Sequence, residues 1–304
     1  MVVPAEPATG LVFDIGSPGS ACADSTSDGA GSIAAESHSS AGLTWSIHDS
    51  RSTATGSFSG GPVTPQASGF VDLVGNPNAL SLFLWDAGGT PRATQPIGDG
   101  SALALIAPRN EGGAAVLAQA VGPLGPNAPP PEVRATTFDA ELSPLASLSF
   151  SSTGMVLAAA EDESGQILAI SNIGQGTWLD LAHGTAGAPF SVGSATAAVA
   201  RALRGGGVAV RLDGRWAGIA RPGSGALSPP APWMTEGADF FPLGQGGAYA
   251  VITANTIDIA RGQTTCGSIT LRTASSVSVG LDGTVIGSAG PNGCTKIFWP
   301  KLLQ

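Results

Sequence analysis

Two histidines, an acidic run and a loop tryptophan are the residues of this 304-residue chain whose types suit chemistry. His38 and His183, brought near Glu161, Asp162 and Glu163, would supply a general acid/base pair or part of a metal site. Nothing in the sequence fixes their separation. The competing reading is two loop histidines and a solvated acidic turn. The third histidine, His48, ends an apolar run beside Asp49 and reads as structural. The run Glu161–Gly165 (EDESG) offers oxygens in a loop, as a hard cation needs, but lacks the alternating acids of a calcium loop. No metal is assigned. Trp233 lies in a proline-rich stretch, Ser228–Trp233 (SPPAPW). An exposed indole there suits stacking on a sugar ring or an apolar partner, and it suits pinning its own loop equally. A nucleophile elbow, a phosphate-cradling loop and a dinucleotide fingerprint are all missing from the sequence. No catalytic residue and no cofactor are therefore assigned.

Composition narrows the classes further. Lysine and arginine total 13 against 22 aspartates and glutamates, a net charge of −9. A surface of that sign repels the phosphate backbone, so nucleic acid is excluded as a partner. No window of about 18 apolar residues exists, so no membrane span is expected. The first twenty residues hold Glu6, Asp14 and three prolines, without the apolar core of an export signal. The three cysteines, Cys22, Cys266 and Cys294, have no metal or redox spacing. Cys266 and Cys294 fall in the last repeat described below, on strands expected to be neighbours. They read as a disulfide, which implies an extracytoplasmic protein, or as two buried thiols, with Cys22 left over.

The elements that must position these residues are short strands. Apolar runs of five to eight residues alternate with Gly, Pro, Ser and Asn clusters, and helical periodicity is nearly absent. A hairpin unit recurs: an apolar run, a turn containing glycine, and a second apolar run. Its turn glycines are Gly31, Gly69, Gly113, Gly154, Gly206, Gly247 and Gly283, at separations of 38, 44, 41, 52, 41 and 36. Glycine supplies the positive φ of a tight turn. A β repeat of 40 to 45 residues is the period of propeller blades. A third strand follows each hairpin, and several end on an aromatic or histidine followed by aspartate: His48-Asp49, Trp85-Asp86 and Phe138-Asp139.

Leu82–Asp86 (LFLWD) resembles the third-strand ending of a WD40 blade, although the Gly-His half of that signature is missing throughout. The chain thus resembles the β-propeller superfamily. The resemblance implies an all-β fold, a single seven-bladed β-propeller over residues 1–304. The strand near residues 10–16 then serves as the fourth strand of the last blade and closes the ring. Six blades with an irregular cap before residue 60 is the alternative. Propeller geometry gathers second-to-third and fourth-to-first connections on one face. It is expected to bring together the long loops 121–132, 183–194 and 222–237, with His38, Asp99, Glu161, Asp162, Glu163, His183 and Trp233 as ligand-binding residues. The expected function is a non-enzymatic scaffold that binds a protein or glycan through that face. A glycan-cleaving hydrolase or lyase and a structural subunit of a surface assembly are the alternatives.

Overall fold

The computed structural model describes residues 10–15, 21–22, 24–40, 42–51, 53–76, 79–98, 102–120, 131–243, 248–290 and 292–303. Among these there are only strands and turns, in seven antiparallel sheets. In chain order, β1 (Leu11–Asp14) precedes blade 1, which comprises β2 (Ser25–Ser27), β3 (Ile33–Ser39), β4 (Gly42–His48) and β5 (Ala54–Phe58). Blade 2 is β6 (Thr64–Pro65), β7 (Phe70–Asn76), β8 (Ala79–Trp85) and β9 (Pro91–Gly98). Blade 3 is β10 (Ala102–Pro108), β11 (Ala114–Ala120), β12 (Glu132–Phe138) and β13 (Pro144–Ser151). Blade 4 has β14 (Val156–Glu161), β15 (Ile167–Ser171), β16 (Gln175–Asp180) and an outer strand in two pieces, β17 (Thr185–Ala186) and β18 (Phe190–Ser191). Blade 5 has three strands, β19 (Ala198–Ala202), β20 (Val208–Leu212) and β21 (Arg215–Ala220). Blade 6 is β22 (Asp239–Pro242), β23 (Ala248–Thr253), β24 (Thr256–Arg261) and β25 (Thr264–Thr270). Blade 7 is β26 (Ser276–Val279), β27 (Val285–Ala289) and β28 (Thr295–Trp299), with β1 as its fourth strand. Leu11 pairs with Phe298 and Asp14 with Thr295, so the chain's first strand covers the open edge of its last blade.

The chain forms two compact units, one of residues 1–71, 84–92 and 232–304 and the other of residues 72–83 and 93–231. In the first, Trp45, Phe58 and Trp85 stack in series, with ring centroids 6.5 and 4.7 Å apart. The same unit packs Ile257, Ile259 and Leu271 of blade 6 against Val285, Ile297 and Trp299 of blade 7. In the second unit, Leu168, Ile170 and Trp178 of blade 4 pack against Val208, Val210 and Ala220 of blade 5. Alternate residues of each strand point to opposite faces, so one blade feeds two such cores.

Aspartates build the turns. After β4, β8 and β12, the Oδ1 atoms of Asp49, Asp86 and Asp139 each accept the N–H groups two and four residues on, at 2.8 to 2.9 Å. Each carboxylate replaces part of the ladder that the turn interrupts. The aromatic-or-His-then-Asp pattern is therefore a strand end followed by its turn cap. Asp28 and Asp162 cap first-to-second turns in the same way, and their second oxygens reach the next blade. Asp28 Oδ2 accepts the Gly69 N–H at 2.7 Å, and Asp162 Oδ2 accepts that of Gly207 at 3.3 Å. Gly69 must be glycine: φ is +89°, and a Cβ would stand 2.1 Å from the Trp85 carbonyl oxygen.

One repeat is out of phase with the sequence reading. Gly154 does not have positive φ, and it lies between β13, the last strand of blade 3, and β14, the first of blade 4. The first-to-second turn of blade 4 is 162–166, with Gly165 at φ +81°. The four-residue link 152–155 is as tight as a hairpin, which is why its glycine mimics one. Gly247 lies outside the described residues.

Candidate functional site

The shift by one strand moves the acidic run. Glu161, Asp162 and Glu163 sit at the first-to-second turn of blade 4, the end of the sheet opposite its second-to-third turn. Glu161 is buried, pairs with Arg109 Nε at 3.2 Å and accepts the Asn110 N–H at 2.7 Å. Asp162 is buried and spends its carboxylate on Ser164, Gln166 and Gly207. Glu163 is exposed and accepts the Gly205 N–H at 2.7 Å. These acids hold turns to one another within their own unit. His183 follows β16 at the same end of blade 4. Its Nδ1 lies 2.9 Å from Asp180 Oδ2 and its N–H donates to Asp180 Oδ1 at 3.0 Å. Those two bonds hold the Asp180 carboxyl below the usual carboxylate range.

The remaining candidates lie in the other unit, or outside the described residues in the case of Asp99. His38 is near the second-to-third turn of blade 1, with Nε2 against the buried Glu36 carboxylate. Trp233 is not an exposed platform: 8% of it is accessible. Its indole N–H donates to the Gly262 carbonyl at 2.9 Å, and its ring stacks on Tyr249 at 5.0 Å and meets Phe240 edge-on at 5.3 Å. Trp233 thus pins its own loop. The cysteine pairing also differs from expectation. Cys22 bonds to Cys294, and Cys266 is free and exposed.

Lys296, on β28, was not singled out by the sequence. It is wholly buried, donates to Ser288 Oγ at 2.8 Å and has a pKa lowered to about 8 by burial, with Asp24 and Glu36 opposing that shift. Between pH 8 and the ordinary lysine value of 10.5, the unfolded chain holds a proton that the folded chain lacks. Stability therefore rises with pH across that window, by at most about 3 kcal/mol. Melting temperature measured from pH 7.5 to 10.5 is expected to climb relative to the Lys296→Met variant. Parallel curves for the two proteins refute the assignment.

The second unit has a cleft of about 350 Å³ lined by Gln166, Trp178, Asp180, Thr185, Phe190 and Ser224, together with neighbouring small residues. The broken outer strand of blade 4 creates it. β17 pairs with β16 at Leu179 and Asp180, and β18 pairs at Gln175 and Gly176. Gly187 still donates to the Trp178 carbonyl at 2.8 Å, and the chain then steps off the ladder at 188–189, where Pro189 has no N–H to give. The turn Gly223–Gly225 of blade 5 forms the far wall. Trp178 and Phe190 are buried, whereas Thr185 and Ser224 are exposed at the rim. The Trp178 indole N–H has no hydrogen-bond partner among the described residues. An apolar base with one ionised carboxylate suits a side chain that has a hydrocarbon stem and a cationic head. No motif marked this cleft, because its residues come from two blades and a strand break.

No protein-family model matches the chain, and no curated protein matches it. Solved structures do. The chain is similar to the WD40 domain of Pan2 from Neurospora crassa, at 11% identity and a TM-score of 0.61, over 98% of this chain and 98% of that one. At that identity the likeness carries the fold and none of that domain's contacts. With seven sheets of consecutive antiparallel strands and the first strand completing the last sheet, the chain is a seven-bladed β-propeller built from degenerate repeats.

Proposed function

We propose that this propeller is a binding scaffold that holds a protein partner by inserting a lysine or arginine of that partner into the cleft beside Asp180. The observation that carries the reading is the cleft itself: an apolar base, one carboxylate held ionised, and small residues at the mouth. The disulfide favours an oxidising compartment, so the partner is sought among secreted or cell-surface molecules. A glycan partner and turnover of a glycan are alternatives that the same experiment separates.

The test is capture from cell-surface and culture extract with three immobilised proteins: wild type, Asp180→Asn and Ser224→Trp. Asp180→Asn removes the charge, and Ser224→Trp fills the mouth from an exposed position. A single protein captured by wild type, with affinity down about tenfold or more in both variants, is the expected result. Equal capture by all three excludes the cleft. A captured polysaccharide that shortens over time replaces the scaffold reading with the enzymatic one.

A further inference from the structure

The carboxylate of the cleft already has a neighbour. Asp180 ends β16, and the turn after it brings His183 back onto the same side chain. The His183 N–H donates to Asp180 Oδ1 at 3.0 Å, and its ring Nδ1 lies 2.9 Å from Oδ2. These bonds hold the Asp180 carboxyl low, so it is ionised at neutral pH. An ionised carboxylate only accepts, so Nδ1 carries the hydrogen and the neutral ring keeps Nε2 bare. The His183 side chain is 79% exposed. A proton can therefore join Nε2 from solvent with the Nδ1 bond left in place, and what changes is charge alone. A carboxylate has about four lone-pair sites. His183 occupies two of them, which leaves sites for an incoming cation.

Other charged groups at this end of the unit come from three elements. On the turn 162–166, Asp162 accepts from Ser164, Gln166 and Gly207, and Glu163 accepts the Gly205 N–H. On blade 5, Arg221 donates to the Gly206 carbonyl at 3.0 Å, and Arg204 lies in the turn between β19 and β20. On blade 3, β13 packs against β17, and the turn before β13 holds Asp139 and Glu141. β17 and the turn Gly223–Gly225 have no titratable side chain. Among the described residues, none of these groups pairs with Asp180 or His183. None of them is a histidine, and the chain's other two, His38 and His48, belong to the other unit. Histidine is the side chain whose charge ordinarily changes between pH 5 and 8, so His183 sets how the charge of the cleft varies there.

We infer that His183 is a pH switch on this cleft, which rests on the cleft taking a partner's lysine or arginine. With the ring neutral, Asp180 presents a net negative charge to the incoming head group. With the ring protonated, that charge is cancelled and the imidazolium repels the cation. Two cations that share one carboxylate stand about 5 Å apart, and like charges at that distance repel even in a water-like medium. Affinity is therefore full above the pH at which His183 titrates and is lost as pH falls through it. By linkage, a bound cation makes protonation of His183 harder by the same factor. The scaffold holds its partner near neutral pH and releases it on acidification.

The probe is Nα-acetyl-lysine amide, which has no group that titrates between pH 5.5 and 7.5. Nα-acetyl-norleucine amide, which lacks the ammonium group, is the control. Binding to the full chain is followed by NMR through the indole N–H resonance of Trp178, at constant ionic strength. Wild-type affinity for the lysine probe is expected to fall about fivefold or more from pH 7.5 to pH 5.5. In His183→Gln the affinity is expected to be the same at both pH values, and in His183→Arg it is expected to be weak at both. Saturating lysine probe is expected to move the titration of the wild-type His183 ring to lower pH. Equal wild-type affinity at the two pH values, or a fall that persists in His183→Gln, overturns the switch and leaves the cleft reading standing. Absence of binding at both pH values, or equal binding of the norleucine control, overturns the cleft reading and the switch with it.

Discussion

Reduction of the Cys22–Cys294 bond is expected to lower the melting temperature by about 10 °C. The bond closes a loop of 272 residues. Cross-linking over that distance removes chain entropy from the unfolded state worth about 5 kcal/mol, near the top of the range for disulfides. In a protein of this size each kcal/mol is worth about 2 °C. Its placement adds to the effect. Cys22 lies in the link between β1 and β2, Cys294 directly precedes β28, and β28 is the strand that β1 covers. The neighbouring bonds Ile15 N–H to Cys294 O at 3.1 Å and Cys22 N–H to Asn292 O at 3.0 Å fasten the same two segments. Without the disulfide, the pairing of β1 with β28 is held by four residues of ladder and those two flanking bonds. The measurement is calorimetry on a Cys266→Ser background, which removes the exposed free thiol as a partner for exchange. Cys22→Ser and a reductant are compared with the parent. A shift below about 2 °C shows that the ring closure is held by the strand alone, and the entropic argument then fails.

The sequence disclosed the fold because the information there is local. Gly31, Gly69, Gly113, Gly206 and Gly283 all have positive φ in first-to-second turns, and each is marked by its own neighbours. The strand-ending aspartates Asp49, Asp86 and Asp139 act within five residues of themselves. What escaped was set by distant contacts. The cysteine pairing follows from the first strand lying on the last blade, which brings residues 272 apart into contact, whereas Cys266 and Cys294 are close only in sequence. The phase of blade 4 was lost because the link 152–155 has the length and glycine of a hairpin, and that error placed Glu161–Glu163 at the wrong end of the sheet. Trp233 followed a run of prolines that suggests exposure, yet Tyr249 and Phe240 of the next blade provide a site for its ring. The cleft beside Asp180 is the product of a broken outer strand, for which a motif search has no template.

Glu161→Ala is expected to destabilise the second unit by about 3 to 5 kcal/mol, the usual cost of removing one partner of a buried ion pair. Glu161 is 4% exposed, and its carboxylate is shared between the Arg109 guanidinium and the Asn110 N–H. Those two residues start the first-to-second turn of blade 3, so the bonds tie that turn to blade 4. Arg109 is also fixed by donation to the Phe138 carbonyl at 3.2 Å, and its side chain is 12% exposed. It cannot easily follow a lost partner into water. Glu161→Gln keeps an acceptor for Asn110 and is expected to cost less than alanine. Replacing both Glu161 and Arg109 by methionine is expected to recover most of the loss, because neither charge is then buried alone. Glu163→Ala, one turn away but exposed, is expected to shift stability by less than about 1 kcal/mol. Urea unfolding of the four variants gives this ordering directly. A ligand-binding role for Glu161 predicts a different pattern: alanine would leave the unfolding midpoint in place while partner capture is lost. The burial and hydrogen bonds of this carboxylate favour the first pattern, and the order of Glu161→Ala, Glu161→Gln and the double variant decides between them.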